Sequence, residues 1–239
     1  MNYYIADCHF GHKNILRFDQ RPFADPYQME ETMIMLWNAA VRKEDTVYIL
    51  GDFCWGKADE WLRILRQLNG SKVLIEGNHE QMMLDTFCSN DPHRARRLWN
   101  RNGGGNTYRT MMYRLSKEQR MQILRFIQKL PDHLEIEVGG NNIYMVHGST
   151  GETRYERIWG RPEPPPEEPP MPGKTVIVGH TATYWMDFVD DRPFKIWYGP
   201  DLIDIDCGCG SGSDMRRSRQ GQRYRNQQED HRRGRKPCI

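Results

Sequence analysis

Three short apolar runs early in the chain each end abruptly in a polar cluster: Tyr3-Tyr4-Ile5-Ala6 before Asp7, Thr46-Val47-Tyr48-Ile49-Leu50 before Gly51-Asp52, and Lys72-Val73-Leu74-Ile75 before Glu76-Gly77-Asn78. Runs of four or five β-branched and aromatic residues bounded in this way read as buried strands. Between them, Met29 to Ala40 and Asp59 to Leu68 repeat apolar residues at helical spacing. The order β-α-β-α-β predicts a parallel sheet covered by helices. The polar clusters then lie at the carboxyl ends of the strands, where open α/β sheets bind ligands.

Farther on, Ser116-Lys117-Glu118-Gln119 has the capping-box pattern and opens a helix that runs through Leu130 and stops at Pro131. Leu134 to Val138 and Ile143 to His147, joined by Gly139-Gly140-Asn141-Asn142, read as a hairpin, and strands return at Thr175 to Val178, Phe194 to Tyr198 and Leu202 to Ile205. A second sheet packed on the first is expected. Pro162 to Pro172 holds seven prolines in eleven residues and reads as an extended, exposed loop.

The net charge of +2 conceals an asymmetry, because residues 213–239 carry eight arginines and one lysine against three acids. The rest of the chain is therefore net acidic, and the basic balance describes a tail. Nearly free of apolar residues, that tail (213–239) is expected to be disordered beside one domain, 1–212. No apolar stretch approaches the roughly 20 residues that span a bilayer. The start of the chain lacks the basic and apolar regions of a leader, and six scattered cysteines (8, 54, 88, 207, 209, 238) do not form a disulfide framework. A cytoplasmic location with reduced thiols and no membrane partner is the expectation.

Five strand ends carry metal-type side chains: Asp7-Cys8-His9, Gly51-Asp52, Gly77-Asn78-His79-Glu80, His147-Gly148 and Gly179-His180-Thr181. Alternation on an extended Asp-x-His segment predicts that Asp7 and His9 point to one side. Singly, each has a bland explanation: a helix cap for Asp7, a turn for Asp52, a satisfied buried imidazole for His147 or His180. Five in this order, each closing a strand, are not explained that way. Oxygen and imidazole donors together suit Mn²⁺, Fe or Zn²⁺ better than Mg²⁺ or Ca²⁺.

In these motifs, from Tyr4 to about Cys209, the chain resembles the calcineurin-like metallophosphoesterases. Gly77-Asn78-His79-Glu80 and Gly179-His180-Thr181 look like the phosphoprotein phosphatase branch; Ala182 stands where many other branches have a second histidine. Asp7 to Ile15, followed by Arg21-Pro22-Phe23, is similar to a bacterial and phage subgroup. The resemblance implies a two-sheet sandwich flanked by helices, with four layers α/β/β/α. It makes Asp7 and His9 ligands of one metal ion, Asn78, His147 and His180 ligands of a second, and Asp52 the bridge. A hydroxide shared by the ions attacks phosphorus in line, and His79 protonates the leaving oxygen. Trp159-Gly160-Arg161 resembles a Trp-x-Arg of bacterial members, so Arg161 is the first candidate for the phosphoryl oxygens, with Asn78, His12, Lys13, Arg17 and Arg21 behind it.

Two departures stand out. The branch usually follows the bridging aspartate with x-x-Asp-Arg, whereas Asp52 is followed by Phe53-Cys54-Trp55-Gly56, and the end turns arginine-rich where relatives continue into an apolar strand. The resemblance thus implies a phosphomonoesterase with two divalent ions, Mn²⁺ foremost. Its substrate would be a phosphorylated protein or small molecule, Ser/Thr-type phosphoprotein ahead of a metabolite. A dinucleoside polyphosphate hydrolase is the first alternative. A nucleic-acid-binding protein or nuclease using the basic tail is the second.

Overall fold

The computed structural model describes residues 1–18, 21–53, 55, 57–162, 166–183 and 195–207. The basic tail, the middle of the proline-rich segment, Phe194, and Cys54, Cys209 and Cys238 lie outside the described residues. The first sheet is parallel, with β1 (Asn2–Ala6), β2 (Thr46–Leu50) and β3 (Ser71–Ile75) side by side in that order. A short α1 (Ile15–Phe18) follows β1. α2 (Pro26–Ala40) starts three residues before its apolar stripe, because Asp25 accepts from the Gln28 N–H and Pro26 presets the first turn. Its Ile34 and Trp37 pack with Ile64 of α3 (Trp61–Gln67) on Val47 and Ile49.

The second sheet runs β4-β5-β6-β8-β7, formed by β4 (His133–Val138), β5 (Asn141–Val146), β6 (Thr175–Val178), β7 (Trp197–Gly199) and β8 (Leu202–Asp204). β5, β6 and β8 are parallel neighbours; β4 and β7 are antiparallel edges. The β4–β5 connection is shorter than the four-residue loop the sequence suggested. Gly139 and Gly140 both take positive φ, 59° and 81°, as a two-residue type I′ turn requires, and Asn141 and Asn142 are drawn into the ladder opposite Val138 and Glu137. The two sheets face each other through Ala6, Leu50 and Ile75 on one side and Met145 and Ile177 on the other. The molecule is a two-sheet sandwich flanked by helices.

A helical group covers one end of the sandwich: α4 (Asn78–Cys88), α5 (Pro92–Arg101), α6 (Gly105–Tyr113) and α7 (Lys117–Gln128), packed through Met82, Met83, Trp99, Met111, Leu124 and Ile127. Of these, apolar spacing and capping announced only α7, which keeps its Ser116/Gln119 capping box. α5 buries a single side chain, Trp99, so it carries no apolar stripe to read. α8 (Arg154–Trp159) is capped by Thr153 and tied to the end of β3 by a two-pronged Arg154 guanidinium on the fully buried Glu76. No helix among the described residues is long and apolar enough to cross a membrane.

Candidate active site

The carboxyl ends of β1, β2, β5 and β6 meet the start of α4, and the chain turns sharply at each. Among the described residues, five non-glycine residues have positive φ: Asp7 (51°), His9 (52°), Asp52 (50°), His180 (65°) and Asp201 in the β7–β8 turn. Four of the five belong to the predicted ligand set. A left-handed L-residue costs about 1–2 kcal/mol, so strain is concentrated where side chains must converge. This corrects the extended Asp-x-His picture. β1 ends at Ala6, and Asp7 and His9 converge because both are left-handed. Gly51, at φ 75°, brings β2 so close to its neighbours that a Cβ there would stand 2.6 Å from the Gly77 Cα and from His147 Nδ1.

Asp52 lies at the centre. Its carboxylate is 3.7 Å from His9 Nε2, 3.6 Å from His79 Nε2 and 3.8 Å from His147 Nε2, and His9 Nε2 is 3.8 Å from Asp7. Backbone N–H groups orient the acids: His79 donates to Asp52 Oδ1 at 3.1 Å and His180 to Asp7 Oδ2 at 2.9 Å. His147 Nδ1 lies 2.7 Å from the Leu50 carbonyl, which can only accept, so the proton sits on Nδ1 and the Nε2 lone pair faces the site. His147 Nε2 and Asn78 Oδ1 are buried without a partner in the structure. His180 packs on His147 with ring centres 4.9 Å apart.

The electrostatics favour cations. Burial, reinforced by Asp206 and Asp52, pushes the Asp7 carboxyl well up, and burial with Glu80 does the same to Asp52. Burial holds His9, His79 and His180 well below the usual imidazole range and brings His147 down to about 4. Neutral imidazoles and crowded carboxylates in a dry bed are the donor set that divalent ions satisfy. Asp7, Asp52 and His147 place one ligand atom each within 4.8 Å of one another. With the orphaned atoms of His147 and Asn78, these residues fit a metal centre.

The calcineurin-like phosphoesterase family model matches residues 3–209. The chain belongs to that family. It is 43% identical over 81 residues to an uncharacterised protein of Methanocaldococcus jannaschii, covering 33% of this chain and 46% of that one. It is 34% identical over 82 residues to the gene 66 protein of Mycobacterium phage L5 (33% of this chain, 39% of that protein). Its match to the gene 66 protein of Mycobacterium phage D29 is 33% over 101 residues (41% and 48%). The chain thus spans under half the length of the curated relatives it matches. A solved Aquifex aeolicus protein of unknown function aligns at 23% identity with a TM-score of 0.43, over 76% of this chain and 79% of that one.

Other residues of this calcineurin-like chain depart from their sequence readings. Arg21, a candidate for phosphate, is buried and donates to the Asp7 and Cys8 carbonyls, bracing the β1 turn. His12 is also buried, with Nδ1 3.3 Å from His9 Nδ1, and is held neutral, at about 3, by burial and Arg21. Lys13 is exposed nearby; the side chain of Arg17 lies outside the described residues. Arg161 is exposed yet close enough to depress His180 and His147.

Glu80, quoted in its motif without a role, accepts from the N–H groups of Gly77 at 2.9 Å and Asp52 at 3.0 Å, locking both turns. Its position three residues after Gly77 is the capping-box signal that could have revealed it. Where the phosphoprotein phosphatases carry Asp-Arg, Trp55 lies edge-on to His79 with ring centres 3.8 Å apart, and His79 Nδ1 is left without a partner.

Proposed function

We propose that the protein is a two-metal-dependent phosphoesterase that hydrolyses phosphomonoesters. One observation carries the reading: the imidazoles of His9, His79 and His147 face the same buried carboxylate, Asp52, at 3.6–3.8 Å. Asp7 and His9 would hold one divalent ion, Asn78, His147 and His180 the other, and Asp52 both. Mn²⁺ is the leading choice, Fe or Zn²⁺ the alternatives. Bound there, the ions supply the positive charge that activates a water and offsets the phosphate's own charge.

The chain's own residues divide the remaining work. The Arg161 guanidinium, at the mouth beside His180, grips phosphoryl oxygens with a planar fork. His79, neutral in the buried bed and protonated when the negative phosphate lies beside it, gives that proton to the departing oxygen as the phosphorus–oxygen bond breaks, and Trp55 against its ring keeps it in place and away from water. His79 Nε2 lies as close to Asp52 as the proposed ligands do, so proton donation must be separated from metal binding by experiment. Phosphoprotein remains ahead of a small metabolite as substrate, with dinucleoside polyphosphate as the alternative.

A panel assayed with Mn²⁺, Fe²⁺ and Zn²⁺, covering p-nitrophenyl phosphate, its bis ester, phosphopeptides, dinucleoside tetraphosphate and RNA, tests the reading. Monoester hydrolysis abolished by EDTA is expected. Failure to turn over any of these with any of the metals would overturn it.

A further inference from the structure

Beside the candidate active site lies a cleft of about 400 Å³, within the range of small-molecule sites, lined by His12, Lys13, Trp55, Asn100, Asn106 and Arg109 with Gly11, Asn14, Gly103 and Gly105. It shares its floor with the catalytic bed: the His12 ring is 5.2 Å from that of His9, and the Trp55 ring 3.8 Å from that of His79. Its wall is the run Gly103-Gly104-Gly105-Asn106, which opens the nine-residue α6. Gly104, in the capping position, offers no side chain to the first N–H groups of the helix, so these donors stand at the cleft with the positive end of the helix dipole.

A second, independent donor meets them. Trp55 is 3% exposed, yet its Nε1–H has no acceptor in the structure. A buried indole N–H ordinarily finds one. Gly103, at φ 95°, runs so close that a Cβ would stand 2.8 Å from Trp55 Nε1 and 2.5 Å from His12 Nε2; a side chain there would obstruct both rings. Lys13 and Arg109 add two cations, and among the described residues the lining contains no carboxylate. The segment 91–114 that forms this wall carries six arginines against a single acid, Asp91, in a domain that is otherwise acidic.

We infer that this cleft is a second anion subsite, which takes a phosphate carried by the leaving group. The inference rests on the phosphoesterase reading and narrows its substrate class to esters or anhydrides whose departing half is itself phosphorylated, such as nucleoside polyphosphates or sugar bisphosphates. In the reaction a water oxygen bonds to the terminal phosphorus and the bridging P–O bond breaks; the departing oxygen takes a proton from His79 in its protonated form, and the proton given up by the attacking water restores it. In an ester the second phosphate is chemically unchanged, in an anhydride it carries the departing oxygen, and in both it is held by the α6 N–H groups, Trp55 Nε1 and Arg109.

The test separates binding from turnover. In EDTA the catalytic bed lacks the cations that would hold a phosphate, so calorimetric titration of the metal-free full-length protein with AMP, fructose 6-phosphate and inorganic phosphate, compared with Arg109→Ala, reports on the cleft. Arg109→Ala, which keeps the basic tail, should weaken binding about tenfold, and Trp55→Phe, which keeps an aromatic ring of smaller size and deletes the N–H, should do the same. Tighter AMP than fructose 6-phosphate makes the ligand a nucleotide, the reverse a sugar phosphate, and equal affinities a bare phosphate site. Unchanged affinity in a folded Arg109→Ala protein overturns the subsite, whether or not Trp55→Phe folds. With Mn²⁺ restored, Arg109→Ala should lower the ratio of kcat/KM for ADP over that for phenyl phosphate by a similar factor. A protein that binds AMP through Arg109 but hydrolyses nothing would keep the subsite and sink the phosphoesterase reading instead.

Discussion

The catalytic bed and the α6 cleft share a wall yet follow opposite rules. The bed is closed, rich in acceptors and acidic, and its side chains are aimed by left-handed turns; the cleft is open, rich in donors and basic, and hangs from a helix start and one indole. The energies explain the contrast. The left-handed Asp52 costs about 1–2 kcal/mol, and the Glu80 carboxylate that accepts its N–H, in a hydrogen bond to a charged group worth about 1.5–3 kcal/mol, is of the size needed to hold it. The cleft needs no such clamp, because a helix start exposes its N–H groups without strain. Positioning ions demands rigidity; choosing a leaving group requires only complementary charge.

The harshest way to break this contrast is to remove the centre of the bed. Asp52→Asn should reduce bound metal, read by elemental analysis, and remove nearly all turnover, whereas Asp59→Asn, which loses an ion pair with the exposed Arg114, should do little. Full metal content and activity in Asp52→Asn would return Asp52 to an ordinary turn. Next comes His79, on the boundary between the two regions. A general acid matters most when the leaving group is basic, so His79→Asn should keep its metals and lose roughly 10²- to 10⁴-fold on phenyl phosphate, and distinctly less on p-nitrophenyl phosphate. Equal losses on both esters, with metal lost too, would make His79 a ligand.

These two regions also differ in what the sequence discloses. The bed was legible because its geometry needs particular residue types at fixed places: glycine beside Asp52, Asn78, His147 and His180, an apolar strand before each cluster, and Asp, Asn or His at the turn. The parallel strands announced themselves the same way, by ending. The cap did not, since α5 buries only Trp99 and α6 begins at a glycine run that reads as a break. Arg21 stood among the weaker phosphate candidates because the backbone carbonyls it donates to leave no trace in side-chain chemistry. Glu80 was quoted but given no role for a related reason: it bonds only to N–H groups.

Glu80 therefore sharpens the comparison. Glu80→Gln puts an amide –NH₂ or a weaker acceptor against the Asp52 and Gly77 N–H groups, so unfolding in urea should show a loss of about 1–3 kcal/mol. The control Glu60→Gln breaks only an exposed pair with Lys57 and should stay within about 0.5 kcal/mol. Equal stability in the two variants would mean that the turns hold themselves and that the clamp argument is wrong.

The smallest effect concerns how Arg161 is delivered to the bed. α8, which leads into Trp159 and Arg161, is anchored by Arg157, whose Nε and Nη2 lie 3.0 and 2.7 Å from one Asp132 oxygen, while His133 approaches the other. Burial alone would raise the Asp132 carboxyl, but Arg157 and then His133 outweigh it and hold it below its ordinary 3.8. A depressed carboxylate stabilises the fold above its unfolded value, and that contribution disappears as pH falls through the lower folded value. Asp132→Asn should then cost about 1–2 kcal/mol at pH 7, a partly exposed pair being worth less than a buried one, and the gap to wild type should close on acidification below pH ~3.8. Because α8 loosens, KM for p-nitrophenyl phosphate should rise modestly while kcat, set by the bed, stays close to wild type. A stability gap that persists unchanged at low pH would show that Asp132 acts through packing and not through its charge, and an unmoved KM would free Arg161 from any dependence on α8.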